Sequence, residues 1–124
     1  MSGVKYLLDT NFILGLLKSN PVVLEEVALR NLSIGECAYS AITRIELLGF
    51  PDISRDEESL IRQKLERLSY FPLSRAIEDV AISLRQTRKI KLPDAVIAAT
   101  ALCYGVELLT MDKHLQLIAH KTEN

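Results

Sequence analysis

Four short apolar runs, at residues 4–8, 36–40, 69–73 and 106–109, punctuate this chain, and helix-forming sequence follows each of them. Runs of this length have the dimensions of buried strands. After the first come Thr10-Asn11 and an apolar helix through Leu17. The second leads into a helix over 41–48, stopped by Gly49 with Pro51 just beyond. After the third, Ser74 caps a helix with Ile77, Val80, Ala81 and Leu84 inward. Its basic end, Arg85, Arg88, Lys89 and Lys91, suits the negative pole of a helix. The fourth precedes Asp112, which caps a last helix through Ile118. Two further helices intervene. Asn20-Pro21 opens one that runs to Arg30 with Val23, Leu24 and Val27 on one face. Ser54-Arg55-Asp56-Glu57 is a capping box, followed by a stripe of Leu60, Ile61, Leu65 and Leu68. Strands that alternate with helices pair in parallel, and a parallel sheet needs helices on both faces. The expected architecture is α/β, a three-layer α/β/α sandwich around a short parallel sheet. Pro93 opens the most apolar helix, which is small or apolar on every side from Ala95 to Leu102 and ends at Gly105. It is expected to be covered all round.

Size and charge narrow the classes. Residues 1–124 form one domain, with 48% hydrophobic and 25% charged residues, an ordinary globular balance. The net charge of −1 excludes a global field that attracts nucleic acid, so any polyanion must be held by local patches of the 15 Lys and Arg. No cationic leader followed by an apolar run and a cleavage site is recognised near the start. No segment approaches the ~20 apolar residues that span a bilayer. A cytoplasmic protein with no membrane association is expected. Cys37 and Cys103 lie in apolar segments without CxxC spacing, and two buried, reduced thiols are expected.

Acids are embedded in the apolar stretches. Asp9 ends the first strand, Glu46 lies in the third helix, Asp94 in the first turn of the apolar helix, and Asp112 follows the last strand. Asp9 and Asp112 have an alternative reading as N-caps, and Asp94 as an acid stabilised by the helix dipole. Glu46 falls inside the arc of Ile42, Ile45 and Gly49 at ~100° per residue, with Arg44 opposite. A glutamate facing an apolar arc is paired in a salt bridge, protonated or metal-bound. Ligands of open parallel sheets bind beyond the carboxyl ends of the strands. Asp9, Asp94 and Asp112 can share that edge, with Glu46 reaching in. Crowded carboxylates repel, and a hard divalent cation relieves the repulsion. All-oxygen ligation suits Mg2+ or Mn2+, and the Cys and His spacing of a structural zinc site is absent. The matching chemistry is phosphodiester hydrolysis by metal-activated water.

At Leu8-Asp9-Thr10-Asn11, Ser40-Ala41-Ile42-Thr43-Arg44-Ile45-Glu46-Leu47, Leu92-Pro93-Asp94-Ala95-Val96-Ile97-Ala98-Ala99-Thr100-Ala101 and Leu108-Leu109-Thr110-Met111-Asp112, the chain resembles the PIN-domain nucleases. In size and layout it resembles the VapC-type toxins of prokaryotic toxin–antitoxin pairs. The resemblance covers essentially the whole chain. It implies a PIN-like α/β/α fold and a Mg2+- or Mn2+-dependent endoribonuclease. Asp9, Glu46, Asp94 and Asp112 would be its catalytic, metal-binding acids. It also implies an RNA substrate, a homodimer and a neutralising antitoxin. Asn11 and Thr110 match polar positions that would orient an acid or a water.

Other signals carry less. Lys91 and Lys113 lie near motif acids and are candidates for holding substrate phosphate, against the alternative of solvated surface lysines; Arg44 and Arg55 are similar. His114 and His120 lack the constellation of a histidine acid–base pair. Tyr6, Tyr39, Tyr70 and Tyr104 read as core. A phosphorylatable receiver domain has the same size and class, but it needs adjacent acids after the first strand, where Thr10-Asn11 stand. Asn11 also replaces the second acid of a DxD phosphatase. A PIN-like module that binds RNA or a partner without cleaving is the remaining alternative.

Overall fold

A computed structural model describes residues 3–120. Its elements are β1 (Tyr6–Leu8), α1 (Thr10–Leu17), α2 (Pro21–Arg30), β2 (Cys37–Ser40), α3 (Ala41–Leu48), α4 (Arg55–Glu66), β3 (Ser69–Phe71), α5 (Arg75–Thr87), α6 (Leu92–Tyr104), β4 (Glu107–Leu109) and α7 (Lys113–His120). All pairings are parallel, in the order β3-β2-β1-β4. Tyr6 is in register with Cys37 and Glu107, and Leu8 with Leu109.

Alternation along the strands divides the core in two. Leu7, Ala38 and Leu108 face one way, packed with Ile77, Ala81 and Leu84 of α5, the buried side of α6, and Leu115 and Ile118 of α7. Leu8, Tyr39 and Leu109 face the other way, against Phe12 and Ile13 of α1, Val23 of α2, Leu47 of α3 and Leu65 of α4. The three-layer α/β/α expectation therefore holds. Each fully buried leucine contributes about 1.5–3 kcal/mol of transfer free energy, and both faces of the sheet supply them.

Local chemistry sets the boundaries. The Ser54–Glu57 capping box opens α4, with both reciprocal bonds made. Asn20 caps α2 ahead of Pro21. Gly105 ends α6 in the left-handed region at φ 66°. Gly15 lets α1 and α2 approach closely, because a Cβ there would lie 2.5 Å from Val23 Cγ2.

Several details differ from the sequence reading. A 3-10 turn occupies Ile34–Glu36, so β2 starts at Cys37. β3 stops at Phe71, where Pro72 has no N–H for the ladder. β4 starts at Glu107, and α7 continues to His120. Leu24 and Leu60 are exposed, since each two-layer helix contact covers a narrower arc than the apolar stripe. The α6 helix is buried from Ala95 through Ala101, but Cys103 and Tyr104 in its last turn reach solvent. Both cysteines are free; Cys37 is buried, its thiol pushed up to about 11 by burial, whereas Cys103 is exposed. Tyr70 is also exposed, on the edge strand β3.

Candidate active site

The strand order places β2 and β3 on one side of β1 and β4 on the other. At such a reversal the chain segments leaving the strands diverge, and a crevice opens beyond their carboxyl ends. Asp9 leaves β1 there and caps α1: its Oδ1 accepts the Phe12 N–H at 2.7 Å. The Asp9 N–H donates to Leu109 O at 3.2 Å, which ties this corner to the end of β4.

Beyond β4, Thr110 is buried and two-handed. Its Oγ1 accepts the Asp112 N–H at 3.0 Å, and its side chain hydrogen-bonds the Asp9 carboxylate. Asp112 is an exposed N-cap of α7, its Oδ1 accepting the N–H groups of His114 at 3.0 Å and Leu115 at 3.1 Å. Asp94 sits in the first turn of α6. The expected capping role of Asp9 and Asp112 and the shared edge are therefore both present.

Glu46 corrects the arc argument. The buried positions of α3 are Thr43 and Leu47, one turn apart, while Ile45 is 65% exposed. Glu46 is itself exposed, beside Leu47 rather than among apolar side chains. Eight residues of mixed sequence do not define a helix face unaided, and the hydroxyl-bearing Thr43 proved to be inward. Glu46 reaches the crevice from the rim, where Oε1 accepts the Thr10 hydroxyl at 2.6 Å.

Electrostatics joins the four acids. Asp9 is raised above the usual carboxylate range, foremost by burial, with the Asp94 and Asp112 charges adding; its bonds from Thr110 and Phe12 oppose the rise. Asp94 is raised by burial, then by Asp112 and Glu46, and Lys91 opposes. Asp9, Thr10, Asn11, Glu46 and Asp94 line a cavity of about 630 Å³ whose other wall includes Leu14, Leu47, Phe50 and Ile61. Asp112 acts on this cavity as a charge from outside its lining.

Residues 6–121 match the sequence model of the PIN domain. The chain belongs to the PIN domain family. Among solved structures it is similar to a toxin–antitoxin complex from Klebsiella pneumoniae, at 30% identity and a TM-score of 0.75 over 88% of each chain. FitAcB from Neisseria gonorrhoeae aligns at 25% identity and a TM-score of 0.73 over 92% of each chain. VapBC2 from Rickettsia felis, bound to a DNA fragment from its promoter, shares the fold at 21% identity, with a TM-score of 0.72 over 93% of each chain. No curated protein matches significantly.

The donor set of this PIN domain fits a hard cation. It consists of carboxylate oxygens, and two of its members, Asp9 and Asp94, lack enough positive charge to offset burial and mutual repulsion. Among the described residues no three acidic, His or Cys side chains already close on one point. Of the expected polar neighbours, Thr110 holds Asp9, and Asn11 lines the cavity. Lys91 attracts Asp94; Lys113 is exposed at the first position of α7. Thr10 and Thr43 were missed. Thr10 touches Glu46, and a hydroxyl between two motif residues, Asp9 and Asn11, is the signal that marks it.

Proposed function

We propose that this PIN domain is an endoribonuclease dependent on Mg2+ or Mn2+, the toxin of a VapBC-type pair, neutralised by a partner antitoxin. The observation that carries the reading is the placement of Asp9, Glu46 and Asp94 in the lining of one cavity beyond the carboxyl ends of the strands, with Asp112 close enough to raise both Asp9 and Asp94. A divalent ion bound by these acids would lower the pKa of a water and neutralise charge developing on the phosphodiester. The residues of the chain do the rest. Phe12 N–H and Thr110 favour the anion of Asp9 against the effect of burial and align it. Thr10 fixes one oxygen of Glu46. Asp94 stands at the positive end of α6, which favours its anion against the neighbouring acids. Lys91, and Lys113 beside Asp112, are candidates to meet substrate phosphate.

The antitoxin partner is supported by the solved relatives, of which one is a toxin–antitoxin complex and another a VapBC pair. A homodimer in the cytoplasm belongs to the same reading. No described helix is long and apolar enough to cross a membrane. A second reading, a non-cleaving PIN module that binds RNA or a partner, is favoured by the acids not being closed around a point.

The deciding experiment incubates the purified chain with single-stranded RNA in Mg2+, Mn2+ or EDTA, alongside Asp94→Asn. Cleavage confined to the metal-containing reactions of the unaltered chain is expected. Equal cleavage in EDTA or by Asp94→Asn would overturn the nuclease mechanism. RNA binding without cleavage in either metal would favour the second reading.

A further inference from the structure

Ser40, Thr43 and Glu46 follow one another at three-residue steps, from the N-cap of α3 into its last turn. Ser40 is 1% exposed and Thr43 fully buried, while Glu46 lies at the rim. Their hydroxyls connect across to α1. Thr10 Oγ1 donates to Glu46 Oε1 at 2.6 Å and lies 3.0 Å from Thr43 Oγ1. Ser40 Oγ lies 3.4 Å from Thr43 Oγ1 and accepts the Thr43 N–H at 3.2 Å.

Each hydroxyl has a single proton, and this fixes the direction of the chain. Thr10 gives its proton to Glu46, so Thr43 is the donor to Thr10. Thr43 then has none left for Ser40, so Ser40 donates to Thr43. The bonds run one way, from the α3 backbone through Ser40, Thr43 and Thr10 to the carboxylate. Donors aligned in this manner polarise one another and strengthen the last bond, which falls on a charged acceptor.

A buried threonine need not behave so. Thr100 turns its hydroxyl back to the Val96 carbonyl at 2.6 Å, inside its own helix. Thr43, in the first turn of α3, has no helical carbonyl one turn behind it, and its hydroxyl serves a residue of α1 instead. The acid at the end of the chain is the one that most needs it. Glu46 is long and exposed, and ordering such a side chain costs more rotamer entropy than ordering a short, buried aspartate.

We propose that Thr43, backed by Ser40, is a positioning residue for Glu46, acting through Thr10. By holding Oε1, the chain presents the carboxylate already oriented to a divalent ion. This rests on the function proposed above, in which Glu46 is a metal ligand.

The test measures Mn2+ affinity by calorimetry for the unaltered chain, Thr43→Val, Thr43→Ser and Glu46→Gln. Valine keeps the shape of threonine and removes the hydroxyl; serine keeps the hydroxyl. Thr43→Val is expected to weaken Mn2+ binding about tenfold, the scale of losing an outer partner of a metal ligand. Thr43→Ser is expected to stay within about threefold of the unaltered chain. In the Glu46→Gln background, Thr43→Val should add nothing. Unchanged affinity in Thr43→Val, equal losses in Val and Ser, or an undiminished effect in the Glu46→Gln background would each overturn the proposal. Should Thr43→Val fail to fold, Thr10→Val removes the final donor from the rim, and unchanged Mn2+ affinity there overturns it too. The levels of failure separate. No Mn2+ binding by the unaltered chain ends the metal reading and this proposal together. Binding that Glu46→Gln leaves intact removes Glu46 as a ligand. Binding weakened by Glu46→Gln but not by Thr43→Val ends the positioning chain alone.

Discussion

Thr110 Oγ1 accepts the backbone N–H of Asp112 at 3.0 Å, so the residue that follows the last strand also sets the start of the last helix. The same side chain bonds the carboxylate of Asp9, which follows the first strand. One buried hydroxyl thus ties together two acids that are distant in the sequence and neighbours in the fold.

Replacing Thr110 by Val should destabilise the protein by about 1–3 kcal/mol, the cost of leaving buried polar groups without a partner. It should also raise Asp9 further, because the Thr110 bond is the largest influence holding it down. Thr110→Ser should restore both. Urea denaturation with NMR titration of Asp9 checks this, and a Val variant as stable as the unaltered chain would count against the tie.

Asp94→Asn should lower metal-dependent RNA cleavage by at least about a hundredfold, on the scale of removing one stabiliser of transition-state charge. The fold should survive, because Asp94 accepts no bond on which α6 depends and Lys91 O still accepts the Ala95 N–H. Circular dichroism and a cleavage assay on one preparation make the check. A loss of activity accompanied by unfolding would contradict it.

Asp9 and Asp94 are both raised in the folded protein from 3.8. Folding therefore favours their protonated forms, and their contribution to stability is fully present below pH 3.8. It is lost as pH rises through the raised values. Glu57 is lowered from 4.5 by its capping bonds and has the opposite dependence, so the informative quantity is a difference. Relative to an Asp9→Asn/Asp94→Asn double variant, the metal-free chain should lose stability as pH rises above 3.8. Mn2+ at pH 7 should recover the deficit in the unaltered chain alone. Melting curves across pH give the answer, and parallel curves for the two proteins would refute the crowding.

Gly15→Ala should cost about 1–3 kcal/mol by overpacking, since the added methyl meets Val23 between α1 and α2. Pairing it with Val23→Ala should recover part of the loss. Denaturant midpoints of the single and double variants test the coupling, and additive losses would exclude it.

The layered fold was legible because both strand and helix periods are clean at its centre. Leu7-Leu8 and Leu108-Leu109 are apolar on both faces, and Ala95 through Ala101 has no side left for water. Caps at Asn20, Ser54, Ser74 and Asp112 are local chemistry and could be read locally. Asp9 and Asp112 announced themselves by sitting where strands hand over to helices, and Asp94 by sitting in the first turn of the most apolar helix. The orientation of Glu46 was not legible, because α3 is too short for periodicity to tell Ile45 outside from Thr43 inside. The Thr43–Thr10 contact joins residues 33 apart, and no local rule registers it.

The pairing of Leu8 with Leu109 also has a temporal consequence. During synthesis Asp9 emerges early, but its neighbour Thr110 and the charge of Asp112 arrive only after nearly every other element has been made. A growing chain can bury α1 against β1 and β2 and still own no complete constellation of acids. The edge that carries Asp9 is complete only once β4 has paired with β1, so the acids are brought together by the pairing of the first and last strands and not by any local segment.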